Sequence, residues 1–173
     1  LLGSSPLRTR FDHVYLVTLD AGKHPAHAAF EPLADGIFHL GSWALQPEQL
    51  IALVRKFVAD THAADFLIAD CPPAFPAIPA LRDAGLPVRV TAFWSGREGA
   101  SPDASALDES LRVLASRYAG LVDRVAAAPG AKEHLVEVLY FPAAKVREVP
   151  VAADVRQAWE QDCIDWLFPP ERP

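Results

Sequence analysis

The sequence predicts an α/β domain with a mostly parallel sheet. Strand-like and helix-like segments alternate along the chain, and the strand-like runs are short, apolar and closed by turn residues. The length of 173 residues and the 51% share of hydrophobic residues suit one domain that can bury a sizeable core.

The first half of the chain contains two predicted strands around one predicted helix. Residues 14–18 are β-branched and aromatic and end at a turn, which is typical of a strand. Residues 47–60 carry apolar side chains at helical spacing, and Pro47 suits the first turn of a helix. The continuous apolar run 66–69 has no polar alternation, so we expect a strand that is buried on both faces.

The second half of the chain continues the alternation. We predict a short helix over 76–84 that stops at Gly85, and a strand over 87–93. A helix follows Ser101, and two short strands are predicted over 122–126 and 136–140. Asp154 and Gln157 resemble a capping box for a last helix, which ends before the proline pair 169–170.

Composition excludes several classes of protein. The chain has 22 acidic residues against 16 basic ones and a net charge of −6, which argues against a nucleic-acid partner. No run of 18 uncharged apolar residues and no signal peptide are present, so we predict no transmembrane segment. Cys71 and Cys163 are too few for a disulfide scaffold, and we expect reduced thiols in the cytoplasm. Because methionine is absent throughout, we expect a trimmed chain or a fragment of a longer protein.

Candidate site residues follow the predicted strands, because open α/β sheets bind ligands at the carboxyl ends of their strands. They lie in four loops and are Ser4, Ser5, Asp20, Asp70, Trp94 and Ser95. Each aspartate can line the cleft or cap the next helix. Trp94 and Ser95 can stack against and hydrogen-bond a sugar, or Trp94 can simply plug the end of the sheet.

Other kinds of site are disfavoured. The chain has neither G-x-G-x-x-G nor G-x-x-x-x-G-K-[ST], so we do not expect it to bind nucleotide phosphates itself. Cys71 is a poor nucleophile candidate, because the two prolines that follow it cannot donate to an oxyanion. His24 and His27 lack further ligands nearby, and we expect surface histidines, no bound metal and no cofactor.

The order of short motifs resembles the acceptor-side domain of GT-B glycosyltransferases. Residues 66–73 match a strand ending in D-x-x-P, and residues 79–88 match the following helix and A-G-[IL]-P-x-[RV]. The nearest resemblance is to the MurG-like, predicted-glycosyltransferase branch, which is related to the N-terminal domain of L-arabinokinases. Residues 19–22 fit L-D-x-G, residues 93–95 loosely resemble an F-S-W-like loop, and residues 141–153 follow the passage F-P-x-x-x-x-V-x-x-V-P-x-V-A without matching its spacing throughout.

The two ends of the chain extend the resemblance. Residues 167–173 resemble the linker L-x-P-P-[DE]-R-P that leads into the nucleotide-sugar domain, and residues 1–6 resemble the second strand and its loop. The resemblance thus implies a Rossmann-like three-layer domain over 1–153, and a last helix with the start of an interdomain linker over 154–173. It places the first strand, with its G-H-G turn, ahead of Leu1.

The resemblance implies transfer of a sugar from a nucleotide donor to a hydroxyl acceptor without a metal. This chain would supply the acceptor wall, with Ser4, Ser5, Asp20, Asp70, Trp94 and Ser95 as acceptor contacts, and a missing C-terminal domain would hold the nucleotide-sugar donor. No general base is assigned. One alternative is a non-catalytic binding or scaffold domain, as in the N-terminal half of L-arabinokinases. A second alternative, a ParA-like protein, conflicts with the missing phosphate loop.

Overall fold

The strands in the described part of this protein form two parallel sheets. The structure is a computed structural model and describes residues 6–18, 31–32, 34–39, 46–69, 74–94, 113–149 and 161–170. The smaller sheet pairs β1 (Tyr15–Thr18) with β2 (Gly36–His39). The larger sheet has the order β3-β4-β5-β6, formed by Asp65–Ala69, Arg89–Trp94, Arg124–Ala127 and Val146–Glu148.

Helices cover both faces of the larger sheet. They are α1 (Pro6–Arg10), α2 (Pro47–Thr61), α3 (Ala77–Asp83), α4 (113–118), α5 (Ala131–Glu137) and α6 (Gln161–Leu167). Short 3₁₀ turns at Ala119–Leu121 and Ala143–Lys145 precede β5 and β6. No helix within the described ranges is both long and apolar enough to cross a membrane.

The core is split into two clusters by the sheet. Side chains of α2, α3, α4 and α5 pack on one face against Val90, Ala92 and Val125, and those of α1 and α6 pack on the other against Phe93 and Ala126. Successive strand residues point to opposite faces. The predicted α/β fold is therefore confirmed, with a parallel sheet between two layers of helices.

The most deeply buried strand is β4, not β3. In β4 all residues from Val90 to Trp94 are buried, because the strand has neighbours on both sides and helices on both faces. In β3 Phe66 and Leu67 are half-buried and Ala69 is exposed. The expected burial of β3 on both faces is thus only partly met, since within the described ranges it is the edge strand of its sheet.

The predicted helices over 47–60 and 76–84 are confirmed with shifts of one residue, and local chemistry explains where they end. His62 adopts left-handed φ of 51°, which lets the Ala63 amide donate to the Val58 carbonyl over 3.2 Å. Gly85 has φ of 67°, and the Leu86 amide donates to the Leu81 carbonyl over 3.3 Å. Both helices therefore stop at a residue in the left-handed region.

The strand predicted over 136–140 is wrong. Residues 131–137 form α5 instead, with Ala131 and Leu135 four residues apart on its buried side. The valines at 136 and 138 suggested a strand. The segment forms a helix because Ala131 and Leu135, one turn apart, pack together into the core beside the sheet. The sequence analysis also missed α1, β2 and β6, whereas β1, β3, β4 and β5 lie within two residues of their predicted positions.

Arginine side chains from the sheet and from α1 hold the end of α6 in place. The guanidinium groups of Arg10, Arg89 and Arg124 donate to the carbonyls of Phe168, Pro169 and Trp166, at 2.7, 2.9 and 3.0 Å respectively. These carbonyls lie at the helix end, where backbone acceptors lack helical partners and carry partial negative charge. The helix is thereby fixed at the amino-terminal edge of β4 and β5.

Trp166 adds a second fixing point for α6. Its indole Nε1 donates to the Val125 carbonyl over 2.9 Å, and the guanidinium groups of Arg124 and Arg147 lie 4.6 and 5.8 Å from its ring centre. Trp166 thus docks α6 against β5.

We expect Gly85→Ala to cost about 1–2 kcal/mol of unfolding free energy, because alanine resists the left-handed backbone at the end of α3. The matched control is Gly120→Ala, since Gly120 has no positive φ and an added Cβ meets no atom within 4 Å at either position. Urea unfolding gives the free energy of unfolding of both variants, and we expect its dependence on urea concentration to stay unchanged. Equal stability of the two variants would contradict the backbone explanation.

Candidate functional site

The candidate site is the carboxyl edge of the larger sheet. All four strands are parallel, so their carboxyl ends share one edge, which is where open α/β sheets bind ligands. The register pairs Ala69 with Phe93, so the loops after β3 and β4 start side by side. Of the predicted contacts, Ser4, Ser5, Asp20, Asp70 and Ser95 lie outside the described residues.

Trp94 is the one predicted contact whose position is described. Its side chain is 3% exposed and meets the ring of Phe141 edge-on, with 6.3 Å between ring centres. Its carbonyl accepts the Ala128 amide over 2.9 Å. The indole therefore closes the end of the sheet, which is one of the two interpretations that the sequence left open, and little of its ring is accessible to a ligand.

A glutamate that the sequence analysis missed caps α5 at this edge. The Glu148 Oε1 accepts the amides of Gly130 and Lys132, at 2.9 and 3.4 Å. Gly130 precedes the helix with φ of 82° and has no side chain with which to cap it. Since free amides at a helix start attract anions, the Glu148 carboxylate occupies the place that a phosphate would take after β5. The signal in the sequence was the missing cap at Gly130.

A groove lies beside this cap, between α5 and β6. Its volume is about 320 Å³, and its lining consists of Lys132, Glu133, Val136, Glu137, Ala143 and Glu148. Three carboxylates against one ammonium group disfavour a phosphate ligand, whereas carboxylates accept hydrogen bonds from hydroxyl groups. In the part of the chain that the structure describes, no group of three or more potential ligands is arranged to hold a metal ion.

Among the described residues, a shifted pKa marks Asp35, which directly precedes β2 of the smaller sheet. Arg8 donates twice to Asp35, over 2.8 and 2.9 Å, and the Val14 amide donates to the same carboxylate over 2.8 Å. These hydrogen bonds, with Arg8 contributing most, lower the pKa of Asp35 to about 2. Val14 and Asp35 directly precede β1 and β2, so this ion pair ties α1 to the smaller sheet and takes no part in the carboxyl edge.

Comparison with known proteins leaves the family open. No protein-family model matches this chain, and no curated protein matches it. The family remains a prediction. What the structure establishes is the α/β fold and the positions of the residues described above.

We expect Glu148→Ala to lower the unfolding free energy by about 1 kcal/mol, because the Gly130 and Lys132 amides lose their charged acceptor. Glu137→Ala is the matched control, since this carboxylate lines the same groove but sits in the last turn of α5, away from the free amides. Thermal or urea unfolding compares the two variants. If Glu137→Ala lowered the unfolding free energy more than Glu148→Ala, the cap would contribute little to stability.

We expect the Asp35 carboxyl to titrate near pH 2, and Arg8→Gln to move that pKa upward toward its ordinary value. Because the folded pKa lies below the unfolded one, the stabilisation is complete above about pH 4 and disappears as the pH falls through 2. Carboxyl-carbon NMR titration measures this pKa. Arg10→Gln is the control, since Arg10 donates to Phe168, and it should leave the Asp35 pKa unchanged.

Proposed function

We propose that this chain forms the acceptor-side domain of a GT-B-like glycosyltransferase, which transfers a sugar from a nucleotide donor to a hydroxyl acceptor. The observation that carries the proposal is the adjacency of β3 and β4, paired in parallel up to Ala69 and Phe93. The D-x-x-P motif of the resemblance begins directly after β3, and its F-S-W-like loop begins at the end of β4. Both motifs thus start at the carboxyl edge, where open α/β sheets bind their ligands.

The acceptor side is favoured over the donor side by the charge at this edge. A donor site must hold a diphosphate, for which a free helix start is well suited. Here the start of α5 is occupied by Glu148, and Glu133 lies in the first turn of the same helix. Such an environment favours hydroxyl groups over phosphates, so the donor would be held by a second domain.

The proposal assigns the acceptor contacts to the loops rather than to the strands. Asp70 directly follows β3 and would accept a hydrogen bond from an acceptor hydroxyl, with Ser4, Ser5, Asp20 and Ser95 as further polar contacts. Trp94, 3% exposed, would support the floor of the cleft from below. The proposal includes a cytoplasmic location, which rests on the chain having two cysteines, too few for a disulfide scaffold.

The second candidate is a non-catalytic binding or scaffold domain with the same fold. The observation that favours it is the burial of Trp94, which is 3% exposed and offers little ring surface to a sugar. The two candidates differ in whether sugars bind at the edge that β3 and β4 share.

We expect the 173-residue protein to bind neither uridine nor guanosine diphosphate sugars with micromolar affinity in calorimetric titrations. Positioning donor and acceptor together supplies roughly 7–11 kcal/mol of a reaction barrier, and one wall of a cleft supplies little of that. Micromolar binding of either nucleotide sugar would reverse the assignment and make this the donor side. Binding that appears only when a donor-side domain is joined after Pro173 would support it.

A second experiment tests whether acceptor sugars bind at the carboxyl edge of β3 and β4. We expect a panel of pentoses, hexoses and disaccharides at millimolar concentration to change the NMR chemical shifts of the Ala69 and Ala128 amides. The Val14 amide should not change. Asp70→Asn should weaken the shifts, whereas Asp83→Asn, at the far end of α3, should preserve them. Shifts from no sugar at all would favour the scaffold domain.

A further inference from the structure

Tyr140 combines a left-handed backbone with an exposed aromatic side chain. Its φ is 58°, and the residue is 70% exposed, although Leu139 and Phe141 on either side of it are buried. This backbone turns the chain after α5, so that the Phe141 amide donates to the Leu135 carbonyl over 2.9 Å. A bulky residue in the left-handed region is strained, because its Cβ lies too close to the following carbonyl oxygen.

Folding alone does not explain a tyrosine at this position. Helix α3 ends in the same region of backbone space with Gly85, which has φ of 67° and no Cβ that could cause such strain. The Tyr140 ring does not offset the strain by filling the core, since most of the residue faces solvent. Strained residues concentrate at functional sites, and this exposed ring is accessible to another molecule.

A second exposed apolar side chain lies at the same edge of the larger sheet. Leu121 ends the 3₁₀ turn before β5 and is 41% exposed. Lys145, in the 3₁₀ turn before β6, ties the two segments together, because its ammonium group donates to the carbonyls of Gly120 and Val122 over 2.9 and 2.7 Å. Since β5 and β6 are parallel neighbours, Leu121 and Tyr140 both lie at their amino-terminal edge.

Cationic groups accompany these two apolar side chains. Arg117 is exposed near the end of α4, and its guanidinium lies 5.6 Å from the ring centre of Tyr118. Lys145 uses two of its three N–H donors on carbonyls, which leaves one donor and the full positive charge. Within the described ranges neither Arg117 nor Lys145 forms a salt bridge.

The carboxylates closest along the chain do not neutralise this charge. Asp123 is paired with Arg82, with 2.6 Å between its Oδ2 and the guanidinium nitrogen. Glu137 lines the groove between α5 and β6, which was described above. The result is a small, positively charged and partly apolar surface on a chain whose net charge is −6. We call it the amino-edge patch; it consists of Arg117, Leu121, Tyr140 and Lys145.

We propose that the amino-edge patch docks an acidic polypeptide segment of a partner protein. An apolar side chain of the segment would contact Tyr140 and Leu121, and its carboxylates would lie beside Arg117 and Lys145. Tyrosine and arginine are the residues that often supply most of the binding energy of a protein interface. The proposal does not depend on the proposed function, because the patch lies at the edge opposite to the candidate site.

A second copy of this chain fits the patch less well than an acidic segment does. Two-fold pairing would place the patch against itself and bring the like charges of Arg117 and Lys145 together. Two exposed apolar side chains also supply far less than the about 800 Å² per partner that a stable interface buries. A short segment needs less area, and opposite charges would attract it.

Peptide titrations test the chemistry of the partner. The probes are two short peptides with a central tryptophan, flanked by glutamates in one and by lysines in the other. We expect the glutamate peptide to change the NMR chemical shifts of the Leu121 and Phe141 amides of the 173-residue protein. It should bind at least about tenfold more tightly than the lysine peptide, and about 1 M salt should remove most of the difference. Equal affinity for the two peptides, or no binding of the glutamate peptide, would overturn the proposal.

Tyr140→Gly separates docking from folding. We expect this variant to raise the urea midpoint, because glycine adopts the left-handed backbone without strain, and to weaken binding of the glutamate peptide about tenfold or more. The control is Tyr15→Ala, which removes a 39% exposed tyrosine from the smaller sheet and should leave peptide binding unchanged. A lower urea midpoint in Tyr140→Gly would show that the ring serves folding, and undiminished peptide binding would show that it is not the contact. Either result would overturn the proposal.

The charge of the patch and its other conceivable occupants are tested in the same way. Arg117→Gln should weaken the glutamate peptide severalfold, whereas Arg55→Gln, on the exposed side of α2, should not. A Tyr140-dependent dimer in sedimentation experiments would overturn the proposal in favour of a second copy. Sedimentation with vesicles of neutral and anionic phospholipid would overturn it if the protein bound the vesicles and not the glutamate peptide.

Discussion

The second layer of helix depends on the hydrogen bonds that fix the end of α6. Arg89 and Arg124 begin two central strands, and their guanidinium groups reach the carbonyls of Pro169 and Trp166. Without this attachment the apolar side chains of Phe93, Ala126 and Val149 would face water on the second side of the sheet. A guanidinium suits the task, because its several donors serve a helix end and a neighbouring carboxylate together, as Arg89 does with Asp65.

Much of the fold could be predicted because strongly patterned segments decide their own structure. The apolar spacing of α2 and the buried run of β4 are visible in sequence, and Gly85 marks the end of α3. By contrast, β6 has three residues of which two are charged, and it is a strand only because β5 lies beside it. The helix α5 was missed for the related reason that Val136 near its end and Val138 just after it favour a strand locally, whereas the packing of the segment favours a helix.

The location of the candidate site could be predicted from topology, but its chemistry could not. Parallel strands direct their carboxyl ends to one edge, and this holds whatever side chains are present. The Glu148 cap joins residues 18 positions apart through a strand that the sequence analysis missed, so the sequence shows the uncapped helix start at Gly130 but not the residue that caps it. Trp94 shows the converse, since an aromatic residue at a strand end suits either a ligand or the core, and only the position of Phe141 shows which it contacts here.

The contact between α1 and α6 brings together residues from the two extremes of the described chain. Arg10 donates to the Phe168 carbonyl over 2.7 Å, and the rings of Phe11 and Phe168 meet edge-on with 5.0 Å between centres. A tensile force applied through the two ends would therefore load this contact first and reach the strand ladders only after α1 and α6 had separated. The contact between α1 and α6 would therefore bear the force at the amino-terminal edge of the sheet, and the carboxyl edge would bear little of it.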